Sequence, residues 1–212
     1  MAHMTYKMVQ NKETLEKDGK DILFINISYP SFESEKRNTV TEKLNDFYKK
    51  GAEEFEKYCK TKLFSSPGMQ NINFKCSALM HTYIPYIDDK YMSVITSASF
   101  FDGKEKRKER FTDNWLLNEK YPQPLKASRI FPTNRKAKKL YADEICSKIM
   151  TSDGGFSYFP DAVFKAKRLF DENRFYLTAR GVAFYYDEDV LFPAKEGIPS
   201  YVIGLNEMEG IV

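Results

Sequence analysis

Phe175-Tyr176-Leu177-Thr178-Ala179-Arg180-Gly181-Val182-Ala183-Phe184-Tyr185-Tyr186-Asp187 is the most structured signal in the chain. Arg174 to Thr178 and Val182 to Tyr186 read as two short strands joined by Ala179-Arg180-Gly181, which predicts an antiparallel hairpin. Gly181 is placed to take the positive φ of a three-residue loop, a conformation that a Cβ disfavours. In the second strand, alternation puts Phe184 and Tyr186 on one face and Tyr185 on the other, so both faces carry an aromatic ring. A loop with Phe192-Pro193-Ala194 and Gly197-Ile198-Pro199 follows, and Ser200 to Leu205 reads as a closing strand.

Upstream of the hairpin, Pro160 leads into a short helix from Asp161 to Phe170 with Val163, Phe164, Ala166 and Leu169 as its apolar positions. Before it, Pro132-Thr133-Asn134 opens a helix to about Met150, with Ala137, Leu140, Tyr141, Ile145 and Ile149 inward and Ser152-Asp153-Gly154-Gly155 as its stop. In the first half, Asp21 to Tyr29 reads as a strand that Pro30 ends. Thr39-Val40-Thr41-Glu42 has capping-box spacing, and Val40, Leu44, Phe47, Phe55 and Tyr58 recur at helical intervals, predicting one amphipathic helix from Val40 to about Lys60. Ser65-Ser66-Pro67-Gly68 is a turn, after which Asn71 to Pro85 and Lys90 to Phe101 read as an antiparallel pair of strands. Lys104 to Arg110 reads as a charged connection, Phe111 to Leu117 as a strand, and Tyr121-Pro122-Gln123-Pro124 as a kinked loop. The expected class is α+β: a twisted, mostly antiparallel sheet with the Val40 and Asn134 helices packed on it. Residues 5–212 read as one domain, with room for two small lobes, 5–117 and 118–212, meeting near Leu117.

At 212 residues, 42% hydrophobic and 15% aromatic, the chain can bury roughly 70% of its unfolded surface. Its net charge of +3, from 33 Lys+Arg against 30 Asp+Glu, sets up no global field for nucleic acid, and no nucleic-acid partner is expected. Cys59, Cys76 and Cys146 lack the paired spacings of zinc or dithiol sites and read as buried thiols. Met1-Ala2-His3-Met4 reads as residues 1–3 added ahead of a start at Met4, which leaves His81 as the sole native imidazole. A multi-histidine metal centre is thereby excluded, and neither a metal nor a cofactor is expected. No apolar run reaches the ~20 residues of a membrane span. The compartment is open: extracytoplasmic if a leader or anchor was trimmed, otherwise cytoplasmic.

The C-terminal hairpin with its Phe192-Pro193-Ala194 and Gly197-Ile198-Pro199 loop resembles the RsiV-like domain family of unknown function. That family includes the extracellular part of the anti-sigma factor RsiV, which binds lysozyme, and the N-terminal region of the peptidoglycan deacetylase PdaC, outside its catalytic domain. The specific match covers about 30 residues, and the order of elements agrees over most of the rest. The resemblance implies a non-catalytic, cell-envelope-associated binding domain of a bacterial protein, with a lysozyme-like protein or a cell-wall component as ligand. Many members carry a Gly-Gly-Ala-His-like turn after the central strand. This chain has Phe101-Asp102-Gly103-Lys104-Glu105-Lys106 there, where only Gly103 corresponds, so the role of that turn is not carried over.

Candidate binding residues fall in three groups. Lys104, Lys106, Arg107, Lys108 and Arg110 form a cationic run that could meet a polyanion or simply keep a strand edge solvated. Arg135 and Lys138, near a helix N-terminus where cations are disfavoured, could extend that patch. Tyr176 and Tyr185 are the aromatics that an exposed hairpin face would offer to a protein or glycan. Asp187, Glu188 and Asp189 lack the pattern of an EF-hand loop and read as a charged turn, as do Asp88 and Asp89. His81 has no nucleophile motif beside it. Three functions are weighed: a non-catalytic binding domain, a polyanion-binding module through the basic loops, and a hydrolase acting through paired carboxylates.

Overall fold

The first turn is set by Asp18-Gly19, whose positive φ values of 51° and 72° are those of a type I′ hairpin loop. It joins β1 (Thr5–Lys17) to β2 (Lys20–Glu33) in antiparallel register. The computed structural model describes residues 4–35, 38–65, 75–102, 105–117, 120–151 and 155–204. After β2 come α1 (Asn38–Tyr58), a π-helical turn at Cys59–Leu63, β3 (Cys76–Ile87), β4 (Tyr91–Phe101), β5 (Lys106–Leu117) and β6 (Pro122–Pro124). These six strands form one sheet in the order β1-β2-β3-β4-β5-β6. Only β2 and β3 pair in parallel among the described residues, and α1 is the crossover that a parallel pair requires. Then follow α2 (Arg135–Met150), α3 (Ala162–Arg168), β7 (Phe175–Thr178), β8 (Gly181–Tyr185) and β9 (Ser200–Ile203), the last three forming a second antiparallel sheet. The architecture is α+β and mostly antiparallel, as the sequence predicts.

Helix α1 lies on one face of the large sheet. Val40, Leu44, Tyr48 and Ala52 recur every four residues and are buried, against Met92, Val94 and Trp115 at one end and Ile25, Ile27 and Met80 at the other. Each fully buried Val or Leu here stabilises the fold by roughly 1.5–3 kcal/mol through removal from water. The small sheet lies on the opposite face, where β7 touches β3, β4 and β5. All five residues of β8 are buried. Phe184 stacks on Tyr141 of α2 with ring centroids 5.6 Å apart, while its neighbour Tyr185 turns toward the large sheet and meets Thr112 at 3.3 Å. The helix α2 starts at Asn134, whose side chain accepts from the Ala137 N–H as an N-cap should.

Several sequence expectations are corrected. The strand from Lys20 runs through Pro30 to Glu33, because the β2–β3 ladder ends at Ser28 and the missing N–H of Pro30 costs no bond on that side. Thr39 lies inside α1, which begins at Asn38, so it is not the cap. Phe47 and Tyr58 are exposed, and Tyr48 is the buried ring in that part of the helix. Lys106 to Arg110 is strand rather than connection, and Pro122 to Pro124 is a short edge strand rather than a loop. In α3, Ala162 and Ala166 are buried while Phe164 and, just past its end, Leu169 face solvent, and Leu140 of α2 is likewise exposed. The hairpin loop has two residues, since Thr178 pairs directly with Gly181. Gly181 does have a positive φ of 144°, and a Cβ there would stand 2.2 Å from the Ile203 carbonyl oxygen, so β9 also requires the glycine. Ser66-Pro67-Gly68, Asn71 to Phe74, Ser152-Asp153-Gly154 and Leu205 lie outside the described residues.

Candidate functional site

The sequence Lys106-Arg107-Lys108-Glu109-Arg110-Phe111-Thr112-Asp113-Asn114-Trp115-Leu116-Leu117 pairs with β4 from Lys106 to Leu116. On its other side, among the described residues, only Trp115, Leu116 and Leu117 have a strand partner, the three-residue β6. From Lys106 to Asn114, β5 is therefore an edge of the large sheet. Two contacts close this edge at its ends. The Lys108 N–H donates to Glu188 Oε2 at 2.9 Å, and the Leu125 N–H donates to the Asn114 carbonyl at 2.7 Å. Backbone groups alternate in direction along a strand, so the N–H and C=O of Arg110 and Thr112 point the same way, between the two closures.

Three cavities converge on this strand. The first, ≈ 440 Å³, lies between α1 and the sheet. Phe47, Phe55, Phe111 and Met80 wall it, with Thr82, Thr96 and Asp113 as polar groups and Lys50 and Glu54 at the helix side. Phe47 is 47% exposed and Phe111 53%, large apolar surface for two rings that flank a cleft. Burial pushes the Asp113 carboxyl up to about 6, against the opposing pull of a hydrogen bond with the Tyr48 hydroxyl. That hydroxyl also accepts from Trp115 Nε1 at 2.8 Å, and burial raises the Tyr48 phenol well above its ordinary value.

The second cavity, ≈ 630 Å³, is lined by every residue from Lys106 to Phe111 together with Arg174, Tyr185 and the turn at Asp187 to Asp189. Arg174 grips Asp187 with both guanidinium nitrogens and holds its carboxyl below the usual range. Lys108 Nζ lies 3.3 Å from Glu188, and Arg110 donates to Ser200 Oγ at 2.6 Å. Tyr185 has the guanidinium carbons of Arg174 and Arg110 at 5.0 and 5.8 Å from its ring. The third cavity, ≈ 400 Å³, is lined by Thr112 to Trp115, Pro124 to Ala127, Asn173, Phe175 and Phe47. Consecutive residues of one strand line these cavities, which is the mark of an exposed edge rather than of one face.

The predicted site residues are only partly brought together. Lys106, Arg107, Lys108 and Arg110 share the second cavity with Tyr185, whereas Lys104 lies outside the described residues. Lys106 and Arg107 are exposed, the latter 3.6 Å from Glu105, while Lys108 and Arg110 tie β5 to the small sheet. Arg135 is exposed at the start of α2 and Lys138 pairs with Glu172, and neither lines any of the three cavities. Tyr185 is buried instead of exposed, because its ring fills the space between the sheets, and Tyr176 beside it is half-buried. His81 is exposed on β3. Asp88 accepts from the N–H groups of Lys90 and Tyr91 and forms the β3–β4 turn as predicted. Among the described residues no three His, Cys, Asp or Glu side chains come together as a metal site. Sequence reasoning missed Phe47, Phe111 and Asp113 as site residues. The signal was the alternation Phe111, Asp113, Trp115, an acid between aromatics on one strand face.

No model of a known protein family matches the chain, and no curated protein matches its sequence. Solved structures do share its fold. A member of the DUF3298 family from Bacteroides fragilis superposes with a TM-score of 0.64 at 16% identity, over 98% of this chain and 93% of that one. A DUF3298 family protein from Pseudomonas aeruginosa gives 0.62 at 13% identity, over 99% and 94%. At such identities the likeness establishes the fold alone. RsiV-like domains are related to the DUF3298 family, whose function is unknown. No helix among the described residues is long and apolar enough to cross a membrane.

Proposed function

We propose that this chain is a non-catalytic binding domain of a bacterial, cell-envelope-associated protein, and that it recognises a protein or envelope ligand through the open edge of β5. The observation that supports this is the convergence of three cavities on Lys106 to Trp115, with exposed Phe47 and Phe111 beside them. Apolar anchors next to unpaired backbone suit recognition. A carboxylate-based hydrolase would need a second acid poised against Asp113. The acidic companion in its cavity is Glu54, drawn to Lys50 at 3.9 Å on the same helix, which suits a solvated rim better than catalysis. The polyanion reading rests on the exposed Lys106, Arg107 and Arg135; Arg107 has only the exposed Glu105 beside it, whereas Lys108 and Lys138 are paired with the more buried Glu188 and Glu172. The RsiV-like resemblance makes a lysozyme-like protein the first ligand to try.

The test is capture by the immobilised domain from bacterial envelope fractions and from lysozyme solutions, at low and high salt. Salt-resistant capture that Phe111→Ser abolishes supports the reading. Capture that salt removes, and that Lys106→Gln with Arg107→Gln abolishes instead, replaces it with the polyanion module. Absence of capture under both conditions overturns it.

A further inference from the structure

The three cavities leave one feature unoccupied by any side-chain chemistry: the backbone of β5 itself. Among the described residues, the outward N–H and C=O groups at Arg110 and Thr112 face no strand of either sheet, and they stand between the closures at Lys108 and Asn114. A sheet edge of this kind is a template for one more strand, and proteins commonly blunt such edges with charge, bulges or a covering element. Here the β4–β5 register runs unbroken from Phe101–Lys106 to Tyr91–Leu116, without a bulge that would twist the edge away. The covering elements stop short on both sides.

We infer that the open segment of β5 takes an extended polypeptide as an added strand, hydrogen-bonded to the backbone of Arg110 and Thr112, with apolar and acidic side chains alternating along it. This rests on the binding-domain reading and narrows its ligand to a protein segment. The alternation follows from the two faces of β5. Side chains of an added strand on the α1 face enter the cavity between Phe47 and Phe111, which admits apolar groups. Those on the other face meet Lys106 and Arg110, neither of which has an ion-pair partner among the described residues, and the Nε of Arg110 is buried without a hydrogen-bond partner. An acidic side chain there supplies both the missing charge and an acceptor. A glycan could use the apolar cleft, but its hydroxyls do not repeat at the spacing of the strand's alternating backbone donors and acceptors, which is why a polypeptide is favoured.

The test uses the intact chain and a display library of random decapeptides. Enriched peptides are expected to alternate apolar and acidic residues and to shift the backbone amide resonances of Arg110 and Thr112. Methylating the peptide nitrogens that face β5 removes two ladder bonds and is expected to weaken binding by about tenfold or more, while methylating the intervening nitrogens changes it by less than about threefold. Thr112→Pro is expected to weaken binding by a similar factor of about ten, since it deletes an outward donor at the centre of the window. The methylated peptides decide the matter on the unaltered protein if that variant does not fold. Equal sensitivity to both methylation patterns, or resonance shifts confined to residues away from β5, overturns the strand addition. If no peptide is enriched while envelope capture persists, the strand addition fails and the binding-domain reading stands; if envelope capture also fails, both fall.

Discussion

Ser93 of β4 and Asn114 of β5 lie opposite each other and together bond the two sheets. The Ser93 hydroxyl donates to Asn114 Oδ1, Asn114 Nδ2 donates to the Phe175 carbonyl at 2.9 Å, and the Leu177 N–H donates to Ser93 Oγ at 2.8 Å. Strand β7 is an edge of the small sheet, and these two side chains satisfy two of its backbone groups in place of a fourth strand. A serine that is fully buried is thus explained by the backbone that it serves.

Replacing Ser93 with alanine leaves the Leu177 N–H without its acceptor in a buried site. The expected loss of stability is about 1–3 kcal/mol, read from urea unfolding of the two proteins. Equal midpoints would show that the bridge contributes nothing net.

Two glycines should respond in opposite directions to alanine. At Gly181 the added Cβ meets backbone 2.2 Å away and the φ of 144° is one that alanine avoids, so a loss of about 3 kcal/mol or more is expected as β9 is pushed off. At Gly51, within α1, nothing lies within 4 Å of the added Cβ, and Gly51→Ala should raise stability by roughly 0.5–1 kcal/mol. Thermal unfolding of both variants checks the pair, and a stable Gly181→Ala protein would contradict the β8–β9 packing.

Asp113 sets a pH dependence. Its carboxyl titrates near about 6 in the fold, above the ordinary value of ~3.9, so the folded state binds the extra proton in between. Stability from this group is therefore full below about pH 4 and declines as pH rises through about 6, by on the order of 2 kcal/mol. The titratable groups that share its two cavities are Tyr48, Lys50, Glu54 and Lys126, and of these Tyr48 is its hydrogen-bond partner. Asp113→Asn should remove that decline, so the difference between the two proteins should change across this window and level off above it. Parallel stability curves would refute the assignment.

The three thiols should be silent in the native protein. Cys59, Cys76 and Cys146 are buried thiols; burial pushes the Cys59 thiol up to about 12 and raises the other two. A thiol-specific chromogenic disulfide reagent is expected to leave all three unmodified until denaturant is added, because the thiolate is the reactive form. Rapid reaction in buffer would place at least one of them at the surface.

The local signals were the legible ones. Asn134 caps its helix, Asp88 makes its turn, and the strands around Tyr91 and Phe184 follow alternation that the residues display openly. Strand β1 and its Asp18-Gly19 turn went unread in the sequence, because β1 shows mostly exposed polar residues, without the alternation that marks a half-buried strand. The charged run from Lys106 concealed a strand for a related reason. An edge strand beside a polar groove needs no apolar alternation, so the pattern that identifies buried strands is missing there.

The residues of this chain thus carry their own helices, turns and interior strands, because those depend on caps, φ preferences and periodicity within a few neighbours. Which edge stays open, and what stands beside it, depends on partners distant in sequence. Lys108 meets Glu188 across 80 positions, Leu177 meets Ser93 across 84, and Trp115 meets Tyr48 across 67. Tyr185 looked like an exposed ring and is buried, while Phe47 looked like core and is exposed, because the small sheet covers one and α1 turns the other outward. Side-chain type sets what a group can do, and the packing of sheet on sheet sets whether water or protein surrounds it.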